Sequence, residues 1–279
     1  MRKVIKTALL LGFALNMASA TAVTDTIIEL HGAKTAGGLL IGKTAPSNQV
    51  KLNEQTLKVS PEGVVVFGFE RDAQGVQKLT IQLADGTQHE QLIELAPREY
   101  KIDRVEGVPQ RTVTPDPEQV ARARKEAAAV WQARQTQTDD LHFLTPVVAP
   151  AKGRISGVYG SQRIFNGEPR NPHFGLDVAA PKGTPVKVVW PGEVVFADPD
   201  LFYSGGTIIV NHGLGVTTTY IHLSAVDVEV GQQLKQGEVI GAIGATGRAT
   251  GPHLDWRVNW GNVRLDPALV LEHFDQPIF

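Results

Sequence analysis

The chain has 279 residues, with 29 acidic and 27 basic side chains for a formal net charge of −2, and it contains no cysteine. The near balance, with no run of Lys or Arg and no basic stripe interleaved with aromatics, argues against nucleic acid and anionic membrane surfaces as partners. Without cysteine there is neither a disulfide framework nor a thiolate metal site. Packed cores must therefore hold the fold, and any metal must sit on His and carboxylate ligands.

Arg2, Lys3 and Lys6 precede an apolar run from Ala8 to Leu15, and Ala18, Ser19 and Ala20 then supply small residues for cleavage. This is the pattern of a secretory signal peptide over residues 1–20. The run is well short of the ~18 to 20 apolar residues of a spanning helix, which disfavours a membrane anchor. The mature chain is expected to begin at Thr21, with cleavage after Ala22 as the alternative, and no later segment is apolar enough to cross a bilayer.

From Thr26 to Ala96 the chain reads as short β segments, TIIEL, GLLIG, VKLN, TLKVS, VVVFGF, KLTIQLA and EQLIELA, separated by Gly, Pro, Asn and Asp. Such spacing predicts a small immunoglobulin-like β-sandwich over residues 21–105. His31 and His89 are isolated there and read as ordinary surface or loop residues. Residues 106–140 change character. Asp116 as N-cap, Pro117 at the first helical position and Gln119 reaching back predict the start of a helix through the Ala/Arg/Gln-rich run that follows. Its Arg residues read as a solvated face, and Val120, Ala127, Val130 and Trp131 form an apolar stripe able to dock on either neighbour. The segment is expected to be a linker with a rigid spacer helix. On that reading, residues before about Thr138 are dispensable for any chemistry of the C-terminal domain.

Residues 141–279 return to Gly-rich β segments, giving an all-β protein apart from the helix. Gly183-x-x-Val186 leading to Gly192-Glu193-Val194 is echoed by Gly231-x-x-Leu234 leading to Gly237-Glu238-Val239, which fits a sheet built from two similar hairpin units. Biotinyl and lipoyl carriers also use such hairpins, but Lys235 beside Gly237 lacks the exposed Met-Lys turn of a carrier.

Polar residues concentrate in PHFGLD, TYIHLS and GPHLDW. Strict alternation in the last places His253, Asp255, Arg257 and Asn259 on one face, with Leu254, Trp256, Val258 and Trp260 on the other. The same count puts Tyr220 and His222 together, opposite Ile221 and Leu223. Pro172 and Gly175 argue against a helix between His173 and Asp177, so these two are expected at a loop-to-strand transition. His and Asp converging with a third strand residue could supply three protein ligands and an open position on zinc.

The segments YGSQR, PHFGLDVAAPKGTPV, YIHLS and ATGRATGPHLDWRV resemble the lysostaphin/LytM-type zinc endopeptidases, the M23 peptidase family, across roughly the C-terminal half. The resemblance implies a Gly-rich, duplicated-hairpin β domain, a Zn2+ cofactor and hydrolysis of peptidoglycan peptide cross-links by a metal-activated water. It implies that His173 and Asp177 ligate zinc and that His222 and His253 assist catalysis, one as general base and the other stabilising the oxyanion or protonating the leaving amine. The third ligand of the family, the second His of an H-x-H motif, is Asp255 here. Two carboxylates and one neutral His make a formally neutral zinc site, where the usual set leaves one positive charge, so bound water is polarised less. Tyr220, Arg257 and Asn259 are candidate substrate contacts, while His142, His212 and His273 match no ligand position and read as structural.

The implied partners are peptidoglycan peptide stems in the periplasm, and the N-terminal domain is free to take an envelope protein partner. The alternative is a catalytically weak or inactive LytM-like regulator that activates a cell-wall amidase, as relatives lacking zinc ligands do.

Overall fold

The computed structural model describes residues 28–107 and 114–279. The expected signal peptide over residues 1–20 lies outside the described residues. Eight strands form the N-terminal region: β1 (Leu30–Gly32), β2 (Leu39–Lys43), β3 (Gln49–Leu52), β4 (Gln55–Leu57), β5 (Val64–Gly68), β6 (Val76–Gln82), β7 (Gln88–Glu94) and β8 (Ile102–Val105). Two antiparallel sheets, β1-β2-β5 and β4-β3-β6-β7, result. The first strand starts where the segment TIIEL ends.

The first sheet is apolar on both faces. Leu40, Val65 and Phe67 pack toward Val50, Leu79, Ile81 and Ile93 of the other sheet, whereas Leu39, Ile41, Val64 and Val66 join the core of the C-terminal region. Consecutive apolar residues in β2 and β5 are the consequence, because alternate side chains each meet a different core. Further bonds tie the two regions together. Arg98 pairs with Asp266, the Asp266 backbone N–H donates to the Gly37 carbonyl at 2.8 Å, and Arg71 Nε donates to the Gly160 carbonyl at 2.7 Å.

Helix α1 (Pro117–Ala133) starts as its residues dictate. Asp116 accepts from the Gln119 backbone N–H, and the Gln119 side chain accepts from the Asp116 N–H, so two of the donors that a helix start leaves open are satisfied. The helix is not the simple spacer its composition suggests. Arg122 bonds the Asp200 carbonyl and carboxylate, Glu126 accepts from the Phe202 N–H, and the helix thereby lies along the C-terminal sheet. Arg134, at its C-cap, is buried rather than solvated.

The C-terminal region contains β9 (Arg154–Gly157), β10 (Gln162–Phe165), β11 (Glu168–Pro169), β12 (Leu176–Ala179), β13 (Pro185–Lys187), β14 (Gly192–Leu201), β15 (Gly205–Asn211), β16 (Val216–Val226), β17 (Gln233–Leu234), β18 (Val239–Ile243), β19 (His253–Trp260), β20 (Val263–Leu265) and the short helix α2 (Pro267–His273). Its main sheet runs β17-β14-β15-β16-β19-β12-β9, while β8 pairs in parallel with β10. The internal echo is visible in the pairing. β13 pairs with β18 and β14 with β17, so each unit supplies a strand to the other. Gly183 and Gly231, the first residue of each echo, have φ of 91° and 89°, a left-handed turn conformation that glycine adopts without a Cβ clash.

Candidate metal centre and cleft

The central strands β16, β19 and β12 place the sequence-selected residues side by side. Asp177 on β12 is directly opposite Asp255 on β19, and Asp255 is opposite Ile221 on β16. Leu254, Trp256 and Val258 point from β19 into the core, which leaves Asp255 and Arg257 on the other face. His173 comes just before β12, at a loop-to-strand junction. Its backbone is clamped there: the Gly160 N–H donates to the His173 carbonyl at 2.7 Å, and the His173 N–H donates to the Ser161 carbonyl at 2.9 Å.

His173 Nδ1 lies 3.2 Å from the Val158 carbonyl. A carbonyl only accepts, so Nδ1 carries the proton and Nε2 of the neutral ring holds a lone pair. That Nε2 is 2.9 Å from Asp177 Oδ1 and 3.3 Å from Asp255 Oδ2, yet among the described residues it makes no hydrogen bond of acceptable geometry. One donor atom from each of the three residues falls within 4.8 Å of the others, and all three residues are buried. Burial disfavours charge on His173, but the carboxylates of Asp255 and Asp177 outweigh it and raise the imidazole pKa. The carboxylates fit here only because two neighbours lack side chains: a Cβ at Gly157 would collide with Asp177 Oδ2, and one at Gly175 with Asp255 Oδ1.

Arg257 changes the electrostatics of this trio. Its Nε donates to Asp255 Oδ1 at 3.0 Å and its Nη2 to Oδ2 at 2.7 Å, a bidentate pairing. Burial works against the Asp255 charge, but Arg257 and His173 hold its carboxyl well below the usual carboxylate range.

His222 and His253 stand beside the trio with ring centroids 4.8 Å apart. His222 Nδ1 is 2.8 Å from the Thr246 carbonyl and His253 Nδ1 is 2.8 Å from the Gly251 carbonyl, so both neutral rings carry their lone pair on Nε2. Burial and the adjacent His253 push the His222 pKa down to about 4. His222 has φ 66°, and this turn breaks the expected alternation along β16. Tyr220 does not share its face: it sits in the core, its hydroxyl accepting from the Val189 N–H at 3.1 Å. The register with β15 shifts by one residue at this point, from Ile208↔Tyr220 to Gly206↔Leu223. A bulge therefore turns Ile221 and His222 to the open side, and Tyr220 is removed from the candidate substrate contacts.

Asn259 is also buried, donating to the Val263 carbonyl at 3.3 Å. His212 is fully buried between the Pro191 carbonyl and Thr218 Oγ1, at 2.6 and 2.7 Å, and burial pushes its pKa down to about 3. His142 and His273 lie outside the trio, on the 3₁₀ turn His142–Leu144 and the end of α2.

A cleft of about 640 Å³ opens beside His222 and Asp255. Helix α1 forms one wall through Ala123, Ala127, Val130 and Arg134, and Arg257 and Arg264 line it from the sheet side. The apolar stripe of the helix was compatible with either neighbour, so packing alone decides that it faces these residues.

Residues 171–267 match the family model described as Peptidase family M23. The chain is 39% identical over 103 residues to the cell division protein DipM of Caulobacter vibrioides, covering 35% of this chain and 17% of DipM. It is 39% identical over 109 residues to the peptidoglycan DD-endopeptidase ShyA of Vibrio cholerae, covering 39% of this chain and 25% of ShyA. The matches thus span a quarter or less of those relatives. A crystal structure of a candidate M23 peptidase from Pseudomonas aeruginosa is similar with a TM-score of 0.66 at 29% identity, over 87% of this chain and 96% of that one. At that coverage the likeness includes the N-terminal sheets.

Proposed function

Because residues 171–267 carry the domain of peptidase family M23, we propose that the protein is a zinc-dependent endopeptidase that hydrolyses peptide cross-links of peptidoglycan in the periplasm. The observation that carries this reading is the convergence of His173, Asp177 and Asp255 within 4.8 Å, beside two further imidazoles. The donor set suits zinc: one imidazole with its tautomer fixed by a carbonyl, and two carboxylates. When bound, zinc would lower the pKa of a water toward ~7 and polarise the scissile carbonyl.

Within this reading the protein's own groups have separable tasks. His222 and His253, each anchored through Nδ1–H, offer Nε2 as a proton acceptor, and the ring that takes a proton becomes a donor toward the leaving amine. Arg257 restores the charge that the second carboxylate removes. With zinc, two carboxylates, a neutral His and this guanidinium, the formal total is again one positive charge, as for the common His, Asp and His set.

Arg257→Gln is therefore expected to destabilise the metal-free protein by about 3 kcal/mol, the low end for stripping the partner from a buried carboxylate. At this chain length that corresponds to a thermal midpoint lower by about 6 to 12 °C. Added zinc should recover more of the midpoint in this variant than in the parent, because the cation takes over part of the compensation. Calorimetric scans with zinc and with chelator test this, and equal midpoints in parent and variant would remove Arg257 from the site's charge balance.

The same ion pair favours a second reading, the amidase-activating regulator, since Arg257 engages both oxygens of Asp255 and weakens it as a metal donor. Purified sacculi separate the two. Zinc-replete protein is expected to convert cross-linked dimers to monomers, chelation to stop this, and zinc to restore it. Unchanged dimers at saturating zinc, with stem release only when an amidase is added, would instead establish the regulator.

A further inference from the structure

Zinc chemistry leaves one feature of the cleft without a purpose. Arg134 is 9% exposed, and among the described residues its Nε has no hydrogen-bond partner while its Nη2 reaches Thr219 Oγ1 at 3.4 Å. A guanidinium buried without a counter-ion is costly. Burial and the like charges of Arg257 and Arg264 outweigh the attraction of Asp255, which makes no ion pair with it, and lower its pKa to about 9, which still leaves it protonated at neutral pH. Arg264 lines the same cleft, stacked 4.2 Å above the Phe174 ring. The two acidic residues on the wall are already engaged: Asp255 by Arg257, and Glu126 by Arg122 and the Phe202 N–H. The cleft is thus a cationic space that opens onto His222 and Asp255 and is large enough for a short peptide.

We propose that Arg134 and Arg264 form a carboxylate-binding subsite that holds the free carboxylate on the leaving side of the scissile amide. The inference rests on the endopeptidase reading and narrows its substrate. Guanidinium groups bind carboxylates through paired charge-assisted hydrogen bonds, and Arg134 has donors to spare. Two cell-wall structures carry a carboxylate on the carbon whose nitrogen is acylated by D-Ala: a terminal D-Ala-D-Ala and a D-Ala to diaminopimelate cross-link. A glycine bridge or an acylated lysine side chain carries none there and gains nothing from this subsite.

Calorimetric titration of the full chain, with zinc and after chelation, tests the subsite without requiring turnover. The probes are acetyl-Lys-D-Ala-D-Ala as acid and as C-terminal amide, and a diaminopimelate-cross-linked stem dimer with that carboxylate free or amidated. The free acid of at least one pair is expected to bind on the order of 10- to 100-fold more tightly than its amide, also after chelation, and the preferred pair identifies the source of the carboxylate. Arg134→Gln should abolish the difference at unchanged zinc content, and Arg134→Lys should retain part of it. Equal binding of acid and amide by the chelated parent would overturn the proposal, as would a folded Arg134→Gln protein that still discriminates. Failure of the endopeptidase reading would show differently, as intact sacculi with the acid preference preserved.

Discussion

Replacing His173 by alanine is expected to strip zinc from the protein and to abolish hydrolysis with it. The imidazole is the one neutral donor of the trio, and its Nε2 stands between the two carboxylates, 2.9 and 3.3 Å from their oxygens. Losing even an outer partner of a metal ligand costs 10- to 100-fold in affinity, so loss of the ligand itself should exceed 10²-fold. Asp177→Ala should behave alike. In the metal-free state His173→Ala carries a second penalty, because Asp177 and Asp255, opposite each other on adjacent strands, lose the imidazole that stands between their carboxylates. Elemental analysis after dialysis decides the matter, and undiminished zinc in both variants would show that the ion binds elsewhere.

Variants of His222 and His253 should retain zinc and lose turnover by 10² to 10⁴, the contribution of a positioned acid or base. The choice of substitution matters at position 222. Its φ of 66° lies in the left-handed region, where alanine is strained and asparagine is tolerated. His222→Asn keeps a donor toward the Thr246 carbonyl and removes the reacting nitrogen, so a loss of rate reflects chemistry and not a refolded bulge. His253→Ala has no such restriction. A variant that loses zinc in proportion to activity would turn the altered His into a ligand.

Much of this site was legible in the sequence because strands convert spacing directly into direction. His253, Asp255 and Arg257 alternate with Leu254, Trp256 and Val258, and the core takes the apolar set. The cap at Asp116 was legible for a similar reason, being a contact between residues three apart. Alternation failed at Tyr220, since a single residue with positive φ at His222 shifts the register, and a polar tyrosine can lie in a core when its hydroxyl finds a backbone donor.

What the sequence alone determined was local: the β segments, the capped helix, the polar face of β19 and the resemblance that singled out His173, Asp177, His222, His253 and Asp255. The tertiary structure decided what joins them. Only packing put Leu39, Ile41, Val64 and Val66 into the C-terminal core, so the two regions share stability. Only packing laid α1 along the cleft and buried Arg134 there, and it also aligned Arg257 with both oxygens of Asp255. The physical reason is range. A strand or cap is set by neighbours a few residues away, whereas the field at a buried carboxylate is the sum of charges that the fold brings within a few ångströms from distant parts of the chain.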